Sequence, residues 1–313
     1  TRIRVQAKMN VIDGFLEWGG DKLQAWRPDW PTEAPNSSNP PSWFCSPKQT
    51  VLELILWNAF FIGLIAYLLL VPGLDALGLP KRGKRTVGIV DIGMGIALCV
   101  LIGFTAWYKF ATDTVVYLAQ PCHVVTLMLI AACVWPERRG GSFLFMLFLH
   151  LNLGTFLALT WPDTRDYVRR GIWPRTAIIV FFSLHWLLAL LPYYYTAARV
   201  FEWKRGLLAI TWGFAGLGLL HWAVLLPLSL LAEKNVNYML SPPPGPPRSW
   251  GIYYRSLQCI LCFPMLAVPG VLLPAFADVV ASVLRRALGG GASDGPRRSE
   301  RLKATKSNGI KTE

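Results

Sequence analysis

The chain has 313 residues, of which 53% are hydrophobic and 16% charged, with a formal net charge of +13 and a mean hydropathy of +0.39. A soluble chain carries about a quarter charged residues, so this composition excludes an ordinary soluble domain and sets much of the surface against lipid. The basic excess does not point to nucleic acid, because no nucleic-acid motif accompanies it and membrane-flanking loops account for it.

The first long apolar run starts near residue 51, too far in for a cleaved secretory signal. Residues 1–50 are expected to form an irregular segment, with 9–50, rich in Trp, Pro and Asn, lying on the membrane interface. Asn36-Ser37-Ser38 in this lead-in is a glycosylation sequon. Seven stretches then approach the ~20 apolar residues that a spanning helix needs. They lie near 51–71, 87–108, 114–135, 142–161, 176–198, 207–231 and 257–281. The first and fourth read as clean spans. The last is interrupted by Pro264, Pro269 and Pro274 and is expected to kink or to enter only partway.

The expected fold is therefore all-α, a polytopic membrane bundle of about seven transmembrane helices over 51–284, with no second soluble domain. Residues 285–313 carry eight of the 31 Lys and Arg and read as a disordered basic tail beside anionic lipid. Lys81, Arg82, Lys84 and Arg85 follow the first span, Arg138 and Arg139 the third, and Arg199, Lys204 and Arg205 the fifth. With the tail they place the C-terminus in the cytosol. The opposite loops hold Lys109, Arg165, Arg169, Arg170, Arg175, Lys234, Arg248 and Arg255. Asp91, near the start of the second span, is expected to pair with Lys109 or with a loop arginine.

Six cysteines form no disulfide framework: Cys99, Cys122 and Cys133 fall within spans, where free cysteine behaves as a small hydrophobe. Cys259 and Cys262 make a C-x-x-C without further ligands at zinc spacing and read as structural. All four histidines, His123, His150, His185 and His221, lie inside apolar stretches, where an ionisable group is costly and marks function more often than elsewhere. Counting ~1.5 Å per residue from each span's entry puts Cys122, His150, His185 and His221 in one slab of the bilayer. Any one histidine serves as interhelical glue in the blander reading, and Asn152 with His150 as a simple bridge, but glue alone would scatter them. No His-x-x-x-His pair exists and carboxylates are scarce, so no metal and no cofactor is expected.

A cysteine and a histidine at matched depth suit acyl transfer. A buried thiol resists ionising, and a histidine within hydrogen-bond reach takes its proton as attack occurs. His123 follows Cys122 by about 100° around a helix, making it a poor base for its neighbour and a better group for orienting substrate or another helix. His185, on a separate span, is the better base. Pro121 interrupts the helix beside the thiol.

The run Tyr108-Lys109-Phe110-Ala111-Thr112, Thr114-Val115, Tyr117-Leu118, Pro121-Cys122-His123 and Val125-Thr126 resembles the transmembrane protein 164 family. So do His150 with Asn152, Pro162, His221, the segment from Asn235 to Leu240 with Pro242, and Tyr254-Arg255, as does the lead-in from Phe15 to Gly20. The likeness covers about residues 9–285 and is densest at 107–136 and 219–255. It implies an integral-membrane acyltransferase that moves a fatty acyl group from a phospholipid donor onto a lysophospholipid acceptor, notably an ether-linked ethanolamine lipid, through a cysteine thioester. The family's nucleophile falls on Cys122 and its base on His185; His123, His150, Asn152, His221, Asn235 and Asn237 are read as pocket or substrate-binding residues. An endomembrane location, endoplasmic reticulum or Golgi, is expected. The chain departs from the family pattern around His185, at Ser241 and in the Pro-rich 242–247 loop. A lipid hydrolase with the same Cys/His site is one alternative, and a transporter or receptor-like protein with a histidine relay is another, although the two halves show no convincing self-similarity.

Overall fold

The structure is a computed structural model that describes residues 2–26, 44–162, 164, 167–168, 173–243 and 245–287. The sequon, Arg165, Arg169, Arg170 and the tail from 288 lie outside these residues. The helices are α1 (Arg2–Trp26), α2 (Pro47–Leu70), α3 (Ile89–Ala111), α4 (Pro121–Val134), α5 (Arg138–Leu151), α6 (Leu153–Thr160), α7 (Pro174–Ala197), α8 (Leu207–Leu219), α9 (Leu226–Ala232), α10 (Tyr254–Met265) and α11 (Leu273–Ala287). A π-helical turn, Leu220–Leu225, joins α8 to α9, and another, Val268–Leu272, lies between α10 and α11. Among the described residues there is no strand, and the chain is a polytopic helical bundle.

Six helical stretches are long and apolar enough to cross a membrane. The seventh expected span, α4, has 14 residues, about 21 Å of helix against a ~30 Å hydrocarbon core. It is short because Pro121 sets the first turn, and the residues before it form a 3-10 turn, Val115–Ala119, after a left-handed Asp113. The prolines of the final span give the expected interruption, a π-helical turn with Pro269 in its first turn.

The irregular lead-in is corrected over its first half. Residues 2–26 form one continuous helix, and Gly19 and Gly20 are contact points: a Cβ on Gly19 would press on Val51 and one on Gly20 on the Lys48 backbone. α1 thus packs closely on the first turns of α2, burying Leu16. The helix at the other end runs through Arg286 to Ala287, beyond the boundary expected at 285.

Contacts between loops sort the bundle into two ends. Arg85 N–H donates to Pro136 O, Arg138 N–H to Gly83 O and Lys204 N–H to Leu77 O, while Arg139 pairs with Asp75 at 2.6 Å. The three basic connections expected to share a face therefore do so. Asp91 takes the loop-arginine option, pairing with Arg85 at 2.7 Å; Lys109 sits at the far end of the same helix. The core between the two ends is aromatic and leucine-rich, with Phe145 stacked on Phe201 at 4.3 Å and Leu129, Leu188 and Leu225 fully buried.

Candidate active site

Cys122 is the second residue of α4, so it lies in the first turn of a helix and not eight residues along one. Unpaired N–H groups and the positive end of the helix dipole gather at such a turn and stabilise negative charge. The thiol is carried at that turn and lies in the field of the Lys109 ammonium. Lys109 belongs to the last turn of α3, where it is buried and lies 5.4 Å over the Tyr117 ring. It was expected in a loop. The arrangement therefore sets a thiol at a helix N-terminus and within the field of a buried cation.

His123 is buried and donates Nδ1–H to Tyr117 O at 2.9 Å, which leaves Nε2 as an acceptor. His185 is the twelfth residue of α7, about 17 Å from its start. Its Nδ1–H donates to Phe181 O at 2.7 Å, and its ring packs on Phe181 at 4.2 Å. A carbonyl accepts only, so Nδ1 carries the proton and the lone pair is on Nε2; that atom is buried without a hydrogen-bond partner. This is the protonation state a general base requires. His185 is electrostatically coupled to His123, and no hydrogen bond joins it to Cys122. The partner that the structure gives His123 is Tyr117, in the turn that leads into α4.

His221 belongs to the π-helical turn. Its Nδ1–H donates to Leu217 O at 2.8 Å and its Nε2 accepts from Asn237 Nδ2 at 2.7 Å. The Val236–Tyr238 turn that carries Asn237 packs against Val115–Ala119, the turn leading into Cys122. The Asn237–His221 pair thus stands beside the approach to the thiol.

Of the other three polar candidates the two asparagines are consumed by the fold, and His150, like His185, keeps a buried Nε2 without a hydrogen-bond partner. His150 is fully buried between Gly213 and Gly270, neither of which has room for a Cβ beside the imidazole, and donates Nδ1–H to Met146 O. Asn152 donates to Leu188 O at 2.8 Å and accepts from Thr155 at 2.6 Å, tying the α5–α6 break to α7. Asn235 spends its side chain on the backbone of Leu240 and Ser241. These hold the fold around the site. Two charged residues went unrecognised: Glu53, inside a span read as clean, and Arg255, read as a loop residue, form a buried ion pair at 2.6 Å. The signal that points to them is a polar stripe on α2, Gln49, Thr50, Glu53 and Trp57, at helical spacing.

An apolar cleft of about 360 Å³ opens between α3 and α4, lined by Ile92, Gly95, Ile96, Cys99, Ile130 and Val134 among others. It lies toward the end of α4 away from Cys122. Among the described residues no cluster of His, Cys, Asp or Glu has the makings of a metal site.

The TMEM164 family pattern matches residues 44–272. The chain belongs to the TMEM164 family. A relative described as Transmembrane protein 164 homolog, from Dictyostelium discoideum, is 25% identical over 210 residues, covering 64% of this chain and 74% of its own length. No solved structure matches the chain. The family is the one that the motifs around Cys122 and His221 resemble, and the match takes in every candidate residue from Lys109 to Arg255.

Proposed function

We propose that this TMEM164-family chain is a membrane acyltransferase that moves a fatty acyl group from a phospholipid donor to a lysophospholipid acceptor through a thioester on Cys122. The observation that carries the reading is the thiol in the first turn of α4, within the field of the Lys109 cation, together with a buried His185 whose Nε2 has no hydrogen-bond partner. In the first half-reaction His185 Nε2 takes the thiol proton as sulfur attacks the donor ester carbonyl. The ester C–O bond breaks, the lysolipid alkoxide takes the proton back from the imidazolium, and a thioester remains. In the second, the acceptor hydroxyl gives its proton to His185 as its oxygen attacks the thioester; the C–S bond breaks and the thiol is reprotonated. Lys109 and the helix N–H groups stabilise the charge that develops on sulfur. Donor, thiol and imidazole come into line when substrate enters, as catalytic hydrogen bonds tighten in complexes.

An ether-linked ethanolamine lysolipid is the acceptor that the family resemblance favours, and an endomembrane compartment the location. With water in place of the acceptor the same steps make a lipid hydrolase. Membranes bearing the chain are incubated with a labelled phospholipid donor and a lysophospholipid, with and without Cys122→Ser. Transfer that disappears in a folded Cys122→Ser supports the reading, release of free fatty acid in place of transfer supports the hydrolase, and transfer unchanged by the substitution overturns the nucleophile.

A further inference from the structure

The loop 235–241 leaves α9 and returns along the bundle to meet His221. Irregular backbone beside membrane-spanning helices has no water to satisfy it and must find its partners in protein. This loop does. Asn235 Oδ1 accepts from Leu240 N–H at 2.8 Å and Ser241 N–H at 3.1 Å. The Tyr254 hydroxyl donates to Tyr238 O at 3.1 Å, Arg255 Nη1 to Met239 O at 3.1 Å, and Phe44 N–H to Leu240 O at 3.1 Å. Within it, Asn237 and Tyr238 hold left-handed φ angles of 50° and 62°. Such angles persist in non-glycine residues where the surroundings over-determine them, and they concentrate at functional sites. The side chain so presented is the Asn237 carboxamide. Its partner His221 sits on an equally special element, a π-helical turn whose Trp222 carbonyl takes an N–H from Asn58 at 3.2 Å.

Arg255 is the charged member of this clamp. Its Nη2 lies 2.6 Å from Glu53 and 3.1 Å from Thr50 Oγ1, and the two ionised side chains are 3% and 8% exposed. For stability alone, apolar residues of similar volume serve as well as a buried ion pair. They cannot donate an N–H to Met239 O while anchored to a carboxylate on a different helix. We infer that Arg255, locked by Glu53, is a positioning residue: it holds the loop so that Asn237 engages the Nε2 lone pair of His221 and fixes that imidazole beside the turn leading into Cys122. The catalytic half of this inference rests on the acyltransferase reading above; the positioning half does not.

The test uses the full chain in lipid nanodiscs with ¹⁵N-labelled histidine. Asn237→Ala marks where the His221 Nε2 resonance goes when its donor is lost. Arg255→Lys keeps the charge and shortens the reach, and is expected to move that resonance the same way while lowering kcat for acyl transfer about 10- to 100-fold with little change in KM. The double variant Glu53→Leu with Arg255→Met removes both charges at once, and decides the matter where Arg255→Lys does not fold. An unmoved Nε2 resonance in a folded variant overturns the inference. A moved resonance with kcat unchanged overturns its catalytic half. A moved resonance in a protein whose wild type transfers no acyl group upholds positioning and overturns the acyltransferase reading instead.

Discussion

Cys122 and His123 are adjacent in sequence and differ in their surroundings: the thiol lies at the first turn of α4 in the field of Lys109, and the imidazole donates to Tyr117 O. His185→Ala removes the free lone pair, and acyl transfer is expected to fall about 10²- to 10⁴-fold, read from initial rates with the labelled donor; a change of less than twofold would remove His185 from the role of base. The type and place of these groups were legible because an ionisable side chain stands out in an apolar run. Their partners were not. Asn152, Asn235 and Asn237 look alike in sequence, yet the first two are consumed by backbone carbonyls and N–H groups while the third reaches an imidazole. His150 likewise shows in sequence as a polar group in a span, but the two glycines that enclose it, Gly213 and Gly270, are distant in the chain. Gly270→Ala forces a methyl group into the imidazole and is expected to destabilise by about 1–3 kcal/mol, measured by thermal unfolding in detergent. No loss in the midpoint would mean that His150 moves aside freely.

At the scale of elements, the decisive departure from expectation is α4, whose start at Pro121 leaves it too short to span and puts the thiol in its first turn. A hydropathy pattern sees apolar residues from 114 and has no means of registering that 115–119 turn as a 3-10 segment. The Glu53–Arg255 pair escaped for a related reason: one residue at the edge of each of two spans reads as a boundary until α2 and α10 are placed side by side. Arg255→Met alone leaves the Glu53 carboxylate buried without its cation and is expected to cost about 3–5 kcal/mol, with the apolar double variant recovering most of it. Equal losses in single and double variants would contradict this. At the basic end, Glu137 caps α5 by accepting from Gly140 N–H at 2.6 Å and Arg139 N–H at 3.0 Å, and the Gly140 N–H foremost holds its carboxyl below the usual range. A lowered native value means that the cap's contribution is present above the unfolded carboxylate range and is lost as pH falls through the native value. Unfolding midpoints measured from about pH 6 down to about pH 2 are expected to drop more in the wild type than in Glu137→Gln; parallel curves would contradict the cap.

For the whole molecule, the bundle and the sharing of one end by its basic loops were largely legible. Spans alternate between two ends, and the loops after α2, α4 and α7 meet through Arg85, Arg138 and Lys204 as the charge bias implied. Cysteines introduced at exposed Lys84 and Arg286 are expected to react with a membrane-impermeant maleimide from one face of sealed vesicles, and one at Tyr253, 64% exposed, from the other. Labelling of all three from one face would break the crossing order. What sequence left open is how irregular segments fold back between the spans, since that depends on hydrogen bonds such as Arg255 to Met239 O and Tyr254 to Tyr238 O, made between residues 16 apart. The most direct measurement on the central proposal is the mass of the purified chain after brief exposure to a phospholipid donor without acceptor. One added acyl group is expected, mapped to Cys122, released by hydroxylamine and by lysophospholipid, and slow to form in His185→Ala. An acyl group on another residue, or acyl transfer in a folded Cys122→Ser, would contradict it.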